Sequence, residues 1–358
     1  MDSPLLSADF QQSAGENPAK HILSGGKLKI LFIRFSSIGD VVLCSPLIRA
    51  LKNRSPETSI YFLTKENLLP LLEFNPHLSG ILRLKDSLLK TCREVKQHDF
   101  DLIIDLHCNL RSRLITLFSG SPVLGYSKEN PAKWLLVHTK INRMSGRHVV
   151  ERYFDALKPL GIQPDGLGAE IFPCDCELPD AESLPGFHLN EKYVVFSIGG
   201  AHQTKKMPPE KWSELGRMLN IPILLAGGKE DIREGEQIQQ LLADSGKASF
   251  NACGKFSLGG SAHLLKNAAL VISHDTGLMH MAAAFRRPVV CIWGSTVPAF
   301  GFQPYGTRFL NLEVNNLNCR PCARNGRDAC PKGHFRCMRE QNPTDAALQK
   351  FIAEAISA

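Results

Sequence analysis

Strand-length apolar runs alternate with helix-length amphipathic stretches along this chain, stop between Gln163 and Asn190, and then begin again. In the first half the runs are Leu28–Phe35, Ser59–Thr64, Gly80–Leu84, Leu102–Leu106 and Val123–Tyr126. Helical patterns at Val41–Asn53, Ser87–Gln97, Arg111–Phe118 and His148–Leu160 follow or separate them. That order predicts parallel strands joined by crossover helices. The interruption is rich in Pro, Gly and acidic residues without a sustained period, and reads as a linker. Beyond it, strands are expected at Tyr193–Ile198, Ile223–Ala226, Ala248–Asn251, Leu270–Ser273 and Val289–Trp293. Helices are expected at Pro209–Leu219, Ile232–Ser245, Leu258–Asn267 and Gly277–Phe285. The predicted class is therefore α/β, with two Rossmann-like, doubly wound lobes facing a cleft. Residues 27–165 and 191–342 form the lobes, 166–190 the linker and 343–358 a closing helix, after a tail at 1–26 expected to be disordered.

A chain of 358 residues suits two domains, and 43% apolar residues can fill two cores. No stretch approaches the roughly 18 uncharged apolar residues of a membrane span. The first 26 residues lack a basic segment followed by an apolar one, so a cytoplasmic protein is expected. The net charge of +7 is unevenly spread. Residues 27–165 carry 21 Lys and Arg against 13 Asp and Glu, while the remainder is nearly balanced. A basic lobe beside a neutral one points to an anionic surface or substrate for the first lobe, or to a solvated face tuned for solubility. No basic helix, zinc-finger spacing or aromatic RNA-binding signature accompanies the charge, so nucleic acid is not expected as a partner.

In doubly wound sheets ligands meet the carboxyl ends of the strands, so the strand-to-helix junctions carry most weight. The first is Ser36-Ser37-Ile38-Gly39-Asp40, where Asp40 is either a helix cap or a carboxylate facing the cleft. It contains no G-x-G-x-x-G, so a dinucleotide fingerprint is absent. Ser197-Ile198-Gly199-Gly200-Ala201 opens the second lobe and leads into His202-Gln203-Thr204-Lys205-Lys206. Small residues followed by two lysines fit a phosphate site, or simply surface lysines before a helix. At His274-Asp275-Thr276-Gly277-Leu278-Met279-His280 a helix starts directly after a strand, so the Thr276–Leu278 amides form an anion site. His280, one turn inside, either reaches that anion or packs in the core. Glu230 and Asp231, after Gly227-Gly228, could take a ribose diol or cap a helix. Asp99-Phe100-Asp101 precedes a strand instead of following one and is read as structural.

Eleven cysteines are present. Cys44, Cys253 and Cys291 sit in apolar contexts suited to buried, reduced thiols. Cys319, Cys322, Cys330 and Cys337 form C-x2-C-x7-C-x6-C, open to a structural zinc, two disulfides or four free thiols.

Together these segments resemble the ADP-heptose:lipopolysaccharide heptosyltransferase family, glycosyltransferase family nine. The matching pieces are I-R-F-S-S-I-G-D-V at 33–41, L-R-S-R at 110–113, H-V-V-E-R-Y at 148–153, K-K-M-P-P-E-K-W at 205–212, A-G-G-K-E-D at 226–231 and S-H-D-T-G-L-M-H-M-A-A-A at 273–284. The resemblance implies the GT-B fold and an inverting transfer of heptose from an ADP-sugar to a lipopolysaccharide inner-core acceptor, with no cofactor required. It implies Asp40 as general base. Donor contacts would come from Thr204, Lys205, Glu230 or Asp231, Asp275, Thr276, Gly277, Leu278 and His280. Ser37, Gly39, Arg111, Arg113 and Lys128 would meet the acceptor, with Lys133 as a further cation beside an anionic membrane surface. Met207 stands where many members carry an aromatic residue. The alternatives are a GT-B transferase or epimerase acting on another nucleotide sugar, and a non-catalytic two-lobed binding protein.

Overall fold

The computed structural model describes residues 27–180 and 182–357. The tail expected to be disordered over residues 1–26 lies outside the described residues. In the first lobe β1 (Lys29–Ile33), β2 (Ser59–Thr64), β3 (Gly80–Arg83), β4 (Leu102–Asp105) and β5 (Val123–Gly125) form one sheet in the order β3-β2-β1-β4-β5. In the second, β6 (Val194–Ser197), β7 (Ile223–Ala226), β8 (Ser249–Asn251), β9 (Leu270–His274), β10 (Val289–Trp293) and β11 (Phe309–Glu313) run β11-β10-β9-β6-β7-β8. Every pairing is parallel, with Ile30 opposite Ile60 and Phe196 opposite Ile272. Helices cover both faces, so the central strands are buried on both sides and read as continuous apolar runs, as in Val289–Trp293.

Strand order reverses beside β1 in one sheet and beside β6 in the other. At such a point neighbouring connections leave on opposite faces and open a crevice at the strands' carboxyl ends. The loops after β1, β6 and β9 all leave from these switch points.

One apolar cluster runs through both lobes, joining Val41, Leu47 and Tyr153 to Val195, Met279 and Trp293. Its seam is the contact of helix Ile38–Val42 with helix Gly277–Ala284. A Cβ on Gly39 would overlap the His280 ring, and one on Gly277 would lie 2.5 Å from Ile38 Cβ. Both positions need the missing side chain for the close approach. Polar contacts extend the seam. Val149 N donates to Gly301 O at 2.8 Å, and buried Arg152 donates to Phe300 O at 2.7 Å while pairing with Glu129 at 2.9 Å.

Several elements differ from expectation. The helix expected at Val41–Asn53 is two helices, Ile38–Val42 and Ser45–Arg54, because Pro46 lacks the amide that a continuous helix would bond. The stretch expected at His148–Leu160 is helical only over Val149–Phe154, followed by a 3-10 turn at Lys158–Leu160 that holds Pro159. Helix Asn130–Thr139 and β11 were not anticipated. In the helix the apolar residues Trp134 to Val137 are consecutive and show no 3.6-residue spacing, and β11 is a short edge strand.

Candidate active site

Asp40 stands in the first turn of helix Ile38–Val42, directly after β1. Its Oδ2 accepts the Ser37 backbone N–H at 3.1 Å and the Ser37 hydroxyl at 2.9 Å. Its Oδ1 pairs with Arg34 Nη2 at 2.6 Å and accepts the Tyr153 hydroxyl at 2.8 Å. The sequence left a helix cap or a free cleft carboxylate open, and the structure gives neither as such: Ser37 is the N-cap, and Asp40, third in the helix, closes the capping box while anchoring a largely buried cluster. Only 13% of its side chain is exposed. Burial pushes its pKa up, but the Arg34 guanidinium, Ser37 N–H and Tyr153 hydroxyl outweigh that and hold the carboxyl well below the usual range. Arg34 is itself fixed, donating to Ser36 O at 2.7 Å and to Leu106 O beyond β4.

Across the seam, Lys205 Nζ donates to Asp275 Oδ2 at 2.7 Å and to Asp275 O at 3.0 Å. Thr296 Oγ1 donates to the same carboxylate at 2.8 Å. Thr276 holds the N-cap position of helix Gly277–Ala284 without a side-chain capping bond, and the first-turn amides have no partner within the helix. His280 lies between the halves of the site and feels both Asp275 and Asp40. Burial lowers its pKa to about 4, so it is neutral at pH 7. Its Nδ1 has no hydrogen-bond partner among the described residues.

The structure therefore gathers Ser37, Gly39, Asp40, Lys205, Asp275, Thr276, Gly277 and His280 around one junction, with Lys128 and Lys133 in electrostatic reach of Asp40, while other expected residues lie elsewhere. Thr204 is buried, its hydroxyl bonded to Ser295 Oγ and Arg327 O, each at 3.0 Å, so it pins the loop in place. The two lysines divide. Lys206 turns inward to Asp231 and Glu234, each at 2.6 Å, because Lys205 ends the 3-10 turn Gln203–Lys205 while Lys206 is already extended, so the two side chains diverge. Only Lys205 faces the site. Asp231 is 1% exposed, with Oδ1 on Lys206 and Oδ2 accepting Gly228 N at 2.8 Å, leaving little capacity for a ribose. Glu230 is exposed and lines a cavity of about 1060 Å³ with Gln203, Arg233 and Glu234. Arg111 and Arg113 are exposed on helix Leu110–Ser119. Lys128 donates to His107 O and is half-buried. Lys133 Nζ lies 5.4 Å from the Phe302 ring, and burial together with Arg152 lowers its pKa to about 8. Asp101 is structural: it accepts Lys29 N at 2.7 Å.

Three residues had no assigned role in the sequence. Arg34 and Tyr153 hold Asp40. His274, neutral because burial takes its pKa to about 3, accepts Met207 N at 2.8 Å and so ties the lysine loop to β9. Arg34 and Tyr153 fall inside quoted motifs, but nothing local marks Tyr153 and Asp40, 113 positions apart, as partners.

Cys44, Cys253 and Cys291 are buried free thiols, and Cys174 with Cys176 forms a disulfide that the spacing did not announce. Cys319, Cys322, Cys330 and Cys337 are free, with Cys319 Sγ 3.9 Å from His334 Nε2. Among the described residues no group of three or more His, Cys, Asp or Glu is placed to hold a metal ion. The arrangement gives the zinc expectation no support. No helix among the described residues is long and apolar enough to cross a membrane.

Residues 88–331 match the family model of glycosyltransferase family 9 (heptosyltransferase). Lipopolysaccharide heptosyltransferase 1 of Pseudomonas aeruginosa is 27% identical over 325 residues, covering 82% of this chain and 86% of that protein. The structure of E. coli ADP-heptose lps heptosyltransferase II superposes with a TM-score of 0.70 at 19% identity, covering 92% of this chain and 99% of the other. E. coli heptosyltransferase WaaC with ADP gives a TM-score of 0.64 at 20% identity, with 92% and 100% covered.

Proposed function

The chain belongs to glycosyltransferase family 9, and from that premise we propose that it moves heptose from ADP-heptose to a hydroxyl of the lipopolysaccharide inner core, inverting the anomeric centre. The observation that carries this reading is the meeting of Asp40 from one lobe with Lys205, Asp275 and the Thr276 helix terminus from the other, on either side of His280. Inverting transfer needs a base on one face of the sugar and an anion receptor on the other.

The acceptor oxygen attacks C1 and its proton passes to Asp40, while the bond from C1 to the β-phosphate oxygen breaks and its electron pair leaves with ADP. Every lone-pair direction of Asp40 is engaged, and the most accessible partner is the Ser37 hydroxyl on Oδ2. The acceptor hydroxyl takes that place. A carboxylate held so acidic is a weak base, so the proton moves late, as the new bond forms. Lys205 turns from Asp275 to the diphosphate, and the Thr276–Leu278 amides share its charge. Glu230, at its cavity, receives the ribose hydroxyls. The basic excess of the first lobe, with Lys133 and Lys128 near Asp40, suits phosphates and carboxylates of the inner core, and peripheral contact with an anionic membrane face belongs to the same reading.

ADP release from ADP-heptose with truncated lipopolysaccharide is the test, with UDP-sugars as a control donor. Asp40→Asn should lower turnover by about 10²–10⁴-fold while keeping donor affinity, and Lys205→Ala should weaken donor affinity as well. A near wild-type rate for Asp40→Asn removes the base assignment.

A further inference from the structure

Helix Leu110–Ser119 is inverted in its amphipathicity. Its inward face carries Ser112 and Thr116, both buried, with Ile115 as its apolar anchor. Ser112 Oγ donates to Asp105 Oδ2 at 2.7 Å, so the polar inward side is satisfied by the end of β4. The outward face carries Leu110, Leu117 and Phe118, exposed by 74%, 76% and 52% among the described residues. Spacings of seven and eight residues put the three on one side of a helix, with Leu114 between them. Arg111 and Arg113, both exposed, fall on opposite flanks of that stripe.

We propose that this face is a membrane-docking element: the leucines and Phe118 enter the headgroup boundary of an anionic bilayer, and the flanking arginines reach its phosphates. Three large apolar side chains standing out of one surface helix need a covering phase. The arginines select which. Their apolar stems lie along the stripe while their guanidiniums stay at the polar boundary, the arrangement of an interfacial helix. Pairing with a second copy through the same face would bring Arg111 and Arg113 of two chains together, which like charge disfavours. The first lobe's basic excess adds long-range attraction to anionic lipid. The proposal rests on the heptosyltransferase reading in one respect, that the acceptor is an amphiphile held in a membrane.

The test sediments the full chain with vesicles of phosphatidylethanolamine and phosphatidylglycerol, and with phosphatidylcholine alone. Wild type should bind the anionic vesicles more tightly, and L117Q/F118Q should lower that partition about tenfold or more with an unchanged thermal melt. Transfer to a delipidated, water-soluble acceptor should be equal in both proteins, and transfer to vesicle-embedded acceptor should fall in the variant. Equal vesicle binding by variant and wild type overturns the proposal, as does a wild-type dimer that the variant dissolves. Vesicle binding without transfer to either acceptor leaves the docking face standing and removes the heptosyltransferase reading.

Discussion

Asp40 shows how far one residue's chemistry depends on its neighbours. A carboxylate with four hydrogen-bonding partners stays ionised through any working pH, so protonation of Asp40 should not limit activity in the ordinary carboxylate range. Tyr153→Phe removes one donor and keeps the ring. The Asp40 pKa should then rise, because the charged form loses a stabilising bond, but from so low a start that the carboxylate stays ionised; kcat should fall by about tenfold at unchanged donor affinity, because the base is less firmly aimed. A purely structural Tyr153 would lower the melting temperature and leave kcat in place. The same residue scale separates Lys205 from Lys206. They are adjacent and chemically identical, yet one meets the site and the other is locked to Asp231 and Glu234. The sequence announced a lysine pair at a phosphate-like junction, and only the backbone direction at that loop decided which of the two serves it.

At the scale of elements, the strands were legible because burial on both faces writes itself as uninterrupted Val, Ile, Leu and Phe, and turn residues bound each run. Helix ends were legible where Pro or Gly marked them. What failed were elements whose apolar residues show no clean period: helix Asn130–Thr139, where Leu136 and Val137 pack against Phe300 but Trp134 is half exposed, and the edge strand Phe309–Glu313, of which Leu312 is buried and Phe309 exposed. Helix Leu110–Ser119 was found nearly in full, but its inverted orientation was not, since periodicity gives a helix its apolar side without saying what that side faces. The contact of helix Ile38–Val42 with helix Gly277–Ala284 yields a prediction at this level. Gly39→Ala pushes a methyl into the His280 ring and should cost about 1–3 kcal/mol in a denaturant melt, together with a loss of transfer, because the site is built on that contact. An unchanged melt would mean that the lobes separate at that seam without cost.

For the whole molecule the buried histidines set the acid behaviour. His274 and His280 are neutral when folded, with pKa values lowered by burial to about 3 and about 4, and His148 lies near 4 for the same first reason. The unfolded chain takes up these protons near pH 6.5, so below that pH it binds more protons than the fold does. Stability should therefore be flat above pH 7 and fall as pH drops from about 6.5 toward 4, by roughly 1–2 kcal/mol per histidine at pH 5. Urea midpoints at pH 7.5 and 5 measure it. His280→Gln should reduce the slope, and an equal slope in that variant would assign the acid loss to other groups.

The alternation of strands and helices, the break between two lobes and the junctions worth inspecting were fixed by the chain's local pattern, because burial period and turn chemistry act over a few residues. The partners of Asp40, the inward turn of Asp231 and Lys206, the anchoring role of Thr204 and the outward face of Leu110, Leu117 and Phe118 were decided by tertiary packing. Each depends on which surfaces distant segments bring together: an ion pair has no period that a sequence can carry, and the period of an apolar face does not say what covers it.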